Sequence, residues 1–568
     1  MADQDWKTLC AQRKQQQLDA IPPQWTIAPP PDSQRNVLNV PRTCGLLSPL
    51  ELEITETADV DVLLQKLRTG AWSSVQATTA FYKRAIIAQQ LTNCLTEIFI
   101  ERALARAREL DEHLARTGTP VGPLHGLPIS LKDQFCIKGM ETIMGYAGWI
   151  GRRAETDSVL VELLHECGAV PFVRTNVPQT LIWGETYNHV FGRTTNPYNR
   201  YMTPGGSSGG EGALVALRGS PLGVGTDIGG SVRIPAAFCG LYSLRPSYER
   251  LPYCRAVNAQ EGQESISSSL GPMANSAAGV RAFTKAIVDA KPWRKDPLAV
   301  RKEWSAREYA LEEHGGGARM CFAVMWDNDV VKPHPPVLRA LEITKSALEA
   351  AGHIVIDWKT HRHLEIYKNT ESIFAADEGH DYRTDCALSG EPLIQTMSPD
   401  TDAHEYALDA PFAKVIVGTP RHLSAWELWQ LHREKRALRK AHLDHWEATA
   451  SRTGTGRPVD AIISPVAPYA ACPHGCNSDA FYTTLFNALD YACAGFPVTL
   501  ADAARDRPAP PHAFRNSEDE AVYRLYDPEL WHGMPVGLQL VGRTQEEEGV
   551  IGMLEVVDAA LKKYKDTQ

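Results

Sequence analysis

Two GGS tripeptides, Gly205-Gly206-Ser207 and Gly229-Gly230-Ser231, stand 24 positions apart in the stretch TPGGSSGGEGALVALRGSPLGVGTDIGGSVRIPAAFCG, Thr203 to Gly240. Lys132 closes the apolar run of GLPISLKDQF, 75 positions before Ser207. A serine hydroxyl becomes a useful nucleophile only when a base takes its proton. A lysine can be that base only when neutral, and from an ordinary pKa near 10.4 that state costs about 4–5 kcal/mol at pH 7. Burial behind LPISL would lower the cost. Glycines beside a serine leave room for backbone N–H groups to meet a carbonyl oxygen. Two serines, a lysine and a glycine turn are the parts of an acyl-transfer site.

Other chemistries fit the glycines less well. A flexible Gly/Ser linker is not expected inside core elements, and GGSSGG runs at once into the helix start EGALVALRG and the apolar PLGVGTD. A phosphate cradle would need a Gly-Lys-Ser/Thr sequence or a strand leading into the loop, and YNRYMTPGG supplies neither. Gly205-Gly206-Ser207-Ser208-Gly209 satisfies G-x-S-x-G, the nucleophile elbow of Ser-His-Asp hydrolases. That elbow requires a hydrophobic strand running into the serine, whereas TTNPYNRYMTP is polar and turn-rich. It stands as the runner-up.

The elements that would position these groups are legible nearby. LGVGTD reads as a strand, IGG as a tight turn and Ser231 as the first residue of a helix, SVRIPAAFCG. This geometry directs the N–H groups of Ile228, Gly229, Gly230 and Ser231 to one spot, an oxyanion hole. Residues 1–115 read mostly as helices. TADVDVLLQKLRTG and ERALARARELDEHLARTG place apolar residues three and four apart and stop at glycine. Beyond them short apolar runs alternate with helices: GAVPFVRTN, then ARMCFAVMW, a helix carrying Val337, Leu338, Leu341, Leu348 and Ala351, and HIVIDW. PVDAIISPVAP and GMPVGLQLVGR read as further buried strands. The expected class is α/β, one large domain with a central, mostly covered sheet surrounded by helices. Residues 1–115 form a helical layer packed on a catalytic domain of residues 116–568. Two polar stretches, RPSYERLPYCRAVNAQEGQESISSS and ADAARDRPAPPHAFRNSEDEA, read as surface excursions.

Taken together, Lys132, PGGSSGGEGALVA and GTDIGGSVRIPAAFCGL resemble the amidase signature family, serine hydrolases with a Ser-Ser-Lys triad. The likeness runs from GPLHGLPISLKD to MPVGLQLVGRTQEEE, and NVPQTLIWGETYNHVFGRTTNP and SPVAPYAACPHG resemble its fungal acetamidase-like branch. The resemblance implies a mixed sheet, Ser231 as nucleophile, Ser207 as the bridging serine on a cis peptide after Gly206, and Lys132 as base. Ser208 has the next claim to be the bridge, but the 24-residue spacing favours Ser207. Asp227 and Arg233 are expected to hold the turn as a structural pair. Leu181, Ile182 and Trp183 align with the acyl pocket, where Trp183 would favour small or flat acyl groups. The implied activity is hydrolysis of small aliphatic or aryl carboxamides, with esters or carbamates also within reach, and without a cofactor. Rival readings are a fatty-amide hydrolase, which needs a membrane-docking apolar patch, the A subunit of a tRNA-dependent amidotransferase, which needs partners, and a silent binding protein. The fungal-type QTLIWGET and the long N-terminal extension disfavour the second. The intact Lys132, Ser207 and Ser231 disfavour the third.

The remaining signals set bounds. The 568 residues are 43% hydrophobic and carry a net charge of −10, which gives no general attraction to nucleic acid or an anionic membrane. The basic run HREKRALRKAH, His432 to His442, reads as a solvated helix face. No run of 18 apolar residues marks a membrane span, the polar start MADQDWKTLCAQRKQQQLDAIPPQW lacks a secretory core, and the tail KDTQ matches no common retention signal. Twelve scattered cysteines suit a reduced, cytoplasmic protein. A homodimer is compatible with these bounds. His125 in PLHGLP reads as a packing residue, and Cys472, His474 and Cys476 in CPHGC are too few for a structural zinc site. No metal is expected.

Overall fold

The computed structural model describes residues 5–394, 422–477 and 481–567. The first four residues of the polar N-terminal stretch and Gln568 of the KDTQ tail lie outside the described residues. Eleven strands form one sheet: β1 (Leu95–Ile98), β2 (Pro128–Lys132), β3 (Val170–Thr175), β4 (Leu222–Asp227), β5 (Tyr242–Arg245), β6 (Ser269–Ala274), β7 (Cys321–Val324), β8 (Ile354–Asp357), β9 (Ala461–Pro465), β10 (Cys493–Leu500) and β11 (Pro535–Val541). Their order is β1-β3-β2-β4-β6-β5-β10-β11-β9-β7-β8. The sheet is mixed: β3-β2-β4 and β9-β7-β8 run parallel, and the pairs between and outside them antiparallel. Every residue of β2, β3 and β4 is buried, as continuous apolar runs covered on both faces require.

Helices cover the sheet in two apolar cores. One gathers β7, β9, β10 and β11 beneath the helices Pro335–Ala350 and Glu547–Asp566. The other gathers β1 to β4 beneath Val60–Arg68, Ser74–Thr92, Ile100–Thr117 and Ala277–Asp289. The helix Ser74–Thr92 starts from a capping box of Ser73 with Gln76, so its first amide donors are satisfied before its apolar face packs. Within residues 1–115 one strand, β1, pairs antiparallel with β3 and joins the main sheet.

Four strands lack a sequence signal. β1 and β5 are four residues long, and β6 and β10 contain Gly271-Pro272 and Gly495-Phe496-Pro497, which read as turns. Pro497 is tolerated where the pairing with β11 shifts register between Pro497 and Thr499. Of the two polar stretches, the one over residues 501–521 lies mostly at the surface. The other is not a surface excursion: Arg245, Ser247, Arg250 and Ile266 are buried. Its arginines find acceptors inside, Arg245 on the Tyr491 carbonyl at 2.8 Å and Arg250 on Glu547 and Glu548 at the start of the last helix.

Candidate active site

β2 and β4 are parallel neighbours, so their carboxyl ends, Lys132 and Asp227, open on the same edge of the sheet. That edge is where α/β sheets bind ligands. Lys132 is fully buried, and its Nζ lies 2.8 Å from Ser207 Oγ and 2.8 Å from Thr226 Oγ1. Burial pulls its pKa down to about 7, against the opposing pull of Asp227 and Glu211. Glu211, beneath it, is itself pushed up to about 8 by burial, with Ser130 Oγ and Thr175 Oγ1 at 2.5 and 2.9 Å from its oxygens.

The partners around Lys132 limit how its amine can point. Gln134 Nε2 donates to the Val257 carbonyl at 2.7 Å, which sets the amide so that Oε1 accepts from Thr226 Oγ1 at 2.6 Å. With its proton spent there, the Thr226 hydroxyl can only accept from Lys132. One N–H of Nζ is committed to Thr226, which leaves a neutral amine its second N–H and its lone pair for Ser207, 2.8 Å away.

Ser207 follows a cis peptide bond from Gly206. Gly206 has no room for a side chain: a Cβ there would sit 2.2 Å from the Glu185 carbonyl oxygen. Ser208 takes the other side of the turn. Its N–H donates to the Ser231 carbonyl at 3.2 Å, and its hydroxyl to the Thr226 carbonyl at 3.3 Å. Ser208 therefore ties the two serine loops together and does not face Lys132.

The turn that carries Ser231 hangs on Asp227. Arg233 pairs with it through Nε and Nη2, each at 3.0 Å, and Asn487 Nδ2 adds a contact at 2.9 Å. Burial alone would push this carboxyl up, but Arg233, then Arg245 and Asn487, hold it well below the usual carboxylate range. Arg233 continues to Thr483 O and Gln539 Oε1 at 3.1 and 3.0 Å, so the pair anchors the turn to β11. The turn departs from expectation at two places. The helix begins at Arg233, so Ser231 lies in the turn two residues before it. The Gly230 N–H donates to Asp227 Oδ1 at 2.8 Å, which removes it from the expected oxyanion set and leaves the N–H groups of Ile228, Gly229 and Ser231. Gly230 is needed for a different reason: its φ is +132°, and a Cβ would fall 2.2 Å from Thr483 Oγ1. No hydrogen bond joins Ser207 Oγ to Ser231 Oγ.

A cavity of about 90 Å³ opens above Ser231. Leu181, Ile182 and Trp183 form one wall, with Gly206, Ile228 and Gly229 at the base. The facing wall is one side of the helix His363–Phe374, with Tyr367, Thr370, Glu371 and Phe374 spaced by three, four and seven. That periodicity is present in the sequence, but nothing in it says that the face covers a site. Asn477 also lines the cavity; its Oδ1 accepts from Tyr469 at 2.9 Å. Thr226, Gln134, Glu211 and Asn477 are the polar residues that sequence reasoning misses, because single polar residues in apolar runs carry no spacing signal.

His125 lies apart from this site, whereas the CPHGC residues border it through Asn477. His125 is buried and its Nδ1 accepts from the Val121 amide at 3.1 Å. Cys472 faces Asn477, His474 lies 3.2 Å from the Arg200 carbonyl, and Cys476 contacts the His474 carbonyl. Among the described residues no group of His, Cys, Asp or Glu is arranged to hold a metal ion. The basic run lies on the helix Ala425–Glu447, where Arg433, Arg436 and Lys440 face solvent and Leu438, His442 and Trp446 are buried. Among the described residues no helix is long and apolar enough to cross a membrane.

The amidase family model matches residues 76–551. An acetamidase of Emericella nidulans is 42% identical over 561 residues, 98% of each chain. An acetamidase of Aspergillus oryzae is 41% identical over 562 residues, 99% of this chain and 100% of its own. Among solved structures, a fatty acid amide hydrolase superposes with a TM-score of 0.88 at 31% identity, covering 98% of this chain and 95% of the other.

Proposed function

The chain belongs to the amidase signature family, and on that premise we propose that it hydrolyses carboxamides through a Lys132-Ser207-Ser231 relay and an acyl-Ser231 intermediate. The observation that carries this reading is the buried contact of Lys132 Nζ with Ser207 Oγ at 2.8 Å, by a lysine whose pKa burial brings to about 7. Neutral Lys132 accepts the Ser207 proton while Ser207 accepts that of Ser231, and Ser231 Oγ attacks the amide carbonyl. The Ser207–Ser231 contact closes when substrate seats Ser231, since catalytic hydrogen bonds tighten in the reacting complex. The N–H groups of Ile228, Gly229 and Ser231 receive the oxyanion, where each such donor is worth about 2.7–4 kcal/mol. The proton returns through Ser207 to the leaving nitrogen, ammonia or an amine departs, and water cleaves the acyl-serine by the same relay.

The small cavity beside Trp183 and the acetamidase relatives support short or flat acyl groups. A second reading, long-chain fatty amides, draws support from the likeness to a fatty acid amide hydrolase. Both are tested by release of ammonia or amine from acetamide, benzamide, indoleacetamide, oleamide, an anilide and a phenyl carbamate, with Ser231→Ala in parallel. Acetamide or an aryl amide as best substrate, lost in the variant, supports the first reading, and oleamide as best substrate replaces it with the second. A mass shift from a fluorophosphonate that maps to any residue other than Ser231 would overturn the assigned nucleophile.

A further inference from the structure

The one charged side chain among the described residues lining the cavity above Ser231 is on the helix His363–Phe374, where Glu371 stands at the exposed rim between Tyr367 and Phe374. Among the described residues no basic side chain pairs with this carboxylate. Partial burial at the rim holds its carboxyl above the ordinary range, the Tyr367 hydroxyl donates to it and pulls the other way, and nearby Glu518 adds to the upward push. A carboxylate with no basic partner among the described residues, near another carboxyl, favours positive charge at that end of the pocket. A carboxamide itself is neutral, so this preference acts on whatever the substrate carries away from its reacting bond.

We propose that Glu371 is a specificity-determining residue, selecting amides that carry a cationic group remote from the scissile carbonyl and disfavouring those that carry a carboxylate there. The inference rests on the amide-hydrolase reading above and adds the charge of the preferred substrate to it. Thr370 cannot supply the same selection, because its hydroxyl donates to the Ile366 carbonyl at 2.8 Å within the helix. Asn477, on the opposite side, is neutral and is held through its Oδ1 by Tyr469.

The test uses three carboxamides matched in length, pentanamide, 5-aminopentanamide and the monoamide of glutaric acid, at pH 8 and low ionic strength. The readout is the ratio of kcat/KM for the cationic over the anionic member. Wild type is expected to favour the cation by about tenfold, the range of two partly exposed charge interactions of opposite sign. Glu371→Gln brings the ratio to within about twofold, Glu371→Lys inverts it, and Glu518→Gln, outside the cavity, lowers it by about half. Added salt at 0.5 M shrinks the wild-type ratio and leaves the Glu371→Gln ratio in place. A ratio that Glu371→Gln does not change overturns the proposal, whatever the absolute rates. The amide-hydrolase reading fails separately, by absence of ammonia from all three. In that case the same amides compete against fluorophosphonate labelling of Ser231, and their relative protection, cation over anion in wild type and Glu371→Gln, decides for or against Glu371.

Discussion

On the proposed relay Lys132 sets the pH at which this site can work, because only its neutral form accepts a proton. Burial lowers its pKa to about 7 while Asp227 and Glu211 resist the shift, so acidification below that value returns the lysine to its charged form. The expected kcat/KM profile is flat above about pH 8 and falls tenfold per unit below about pH 7. Orientation matters as much as protonation. Thr226 accepts from Lys132 only because Gln134 takes its proton, at 2.6 Å. Thr226→Val removes that acceptor without changing shape, and kcat is expected to fall about 10–100-fold, less than the roughly 10²–10⁴-fold of losing a general base outright, with KM nearly unchanged. Thr226→Ser keeps the hydroxyl and restores most of the rate. Steady-state kinetics on the best amide of the panel check both, and a Thr226→Ser enzyme as slow as Thr226→Val would show that the methyl group, not the hydroxyl, matters.

The turn from Asp227 to Ser231 shows how an element converts buried charge into geometry. Asp227 spends its oxygens on Gly230, Val232 and Arg233 amides as well as the Arg233 guanidinium, so the loop has one conformation. Gly230→Ala forces a Cβ to 2.2 Å from Thr483 Oγ1 at a φ of +132°. It is expected to lower stability by about 1–3 kcal/mol and to abolish fluorophosphonate labelling of Ser231 in the folded fraction, read by urea unfolding and mass spectrometry. A second element-level device joins the helices His363–Phe374 and Ala425–Glu447. His363 stacks on His442 at 5.9 Å and His361 on His445 at 4.8 Å, beside Trp358. Burial lowers His363 to about 4 and His442 well below its ordinary value, each also disfavoured by neighbouring imidazoles. Both are neutral in the fold, whereas unfolded histidine takes a proton near pH 6.5. Their contribution is therefore complete above about pH 6.5 and lost as pH falls toward 4. Between pH 7.5 and 5, wild type should lose about 2 kcal/mol more than His363→Phe in urea unfolding. Equal losses in the two proteins would refute the role of His363.

At the scale of the whole molecule, what the sequence reveals depends on how each part is stabilised. The strands β2, β3, β4, β9 and β11 are long apolar runs and are legible, as are Lys132, Ser207 and Ser231, which lie in glycine-marked turns or at a strand end. The Gly-Pro interruptions of β6 and β10 hide strands that exist because their neighbours supply the pairing. Gln134, Thr226 and the cavity face of the helix His363–Phe374 are set by tertiary approach, which leaves no local trace. The same dependence bears on the expected boundary at residue 115. Arg84 donates to the Leu217 carbonyl at 2.7 Å, at the end of the helix Gly209–Ala216 that begins just after Ser207. Tyr82 donates to the Phe172 carbonyl in β3, and β1 pairs along the outer edge of the same strand. Deleting residues 1–115 strips one of the two largest apolar cores of three of its four covering helices and leaves the β3 edge and the Leu217 carbonyl without the partners described. A fragment of residues 116–568 is therefore expected to lack near-ultraviolet circular dichroism and to bind 8-anilinonaphthalene sulfonate, as an expanded chain without fixed packing does. The full chain, whose two parts share one sheet, should unfold in a single calorimetric transition. A fragment with native dichroism and amidase turnover would show instead that the helical layer is an appendage, and that the ten strands from β3 to β8 in sheet order hold the active site without it.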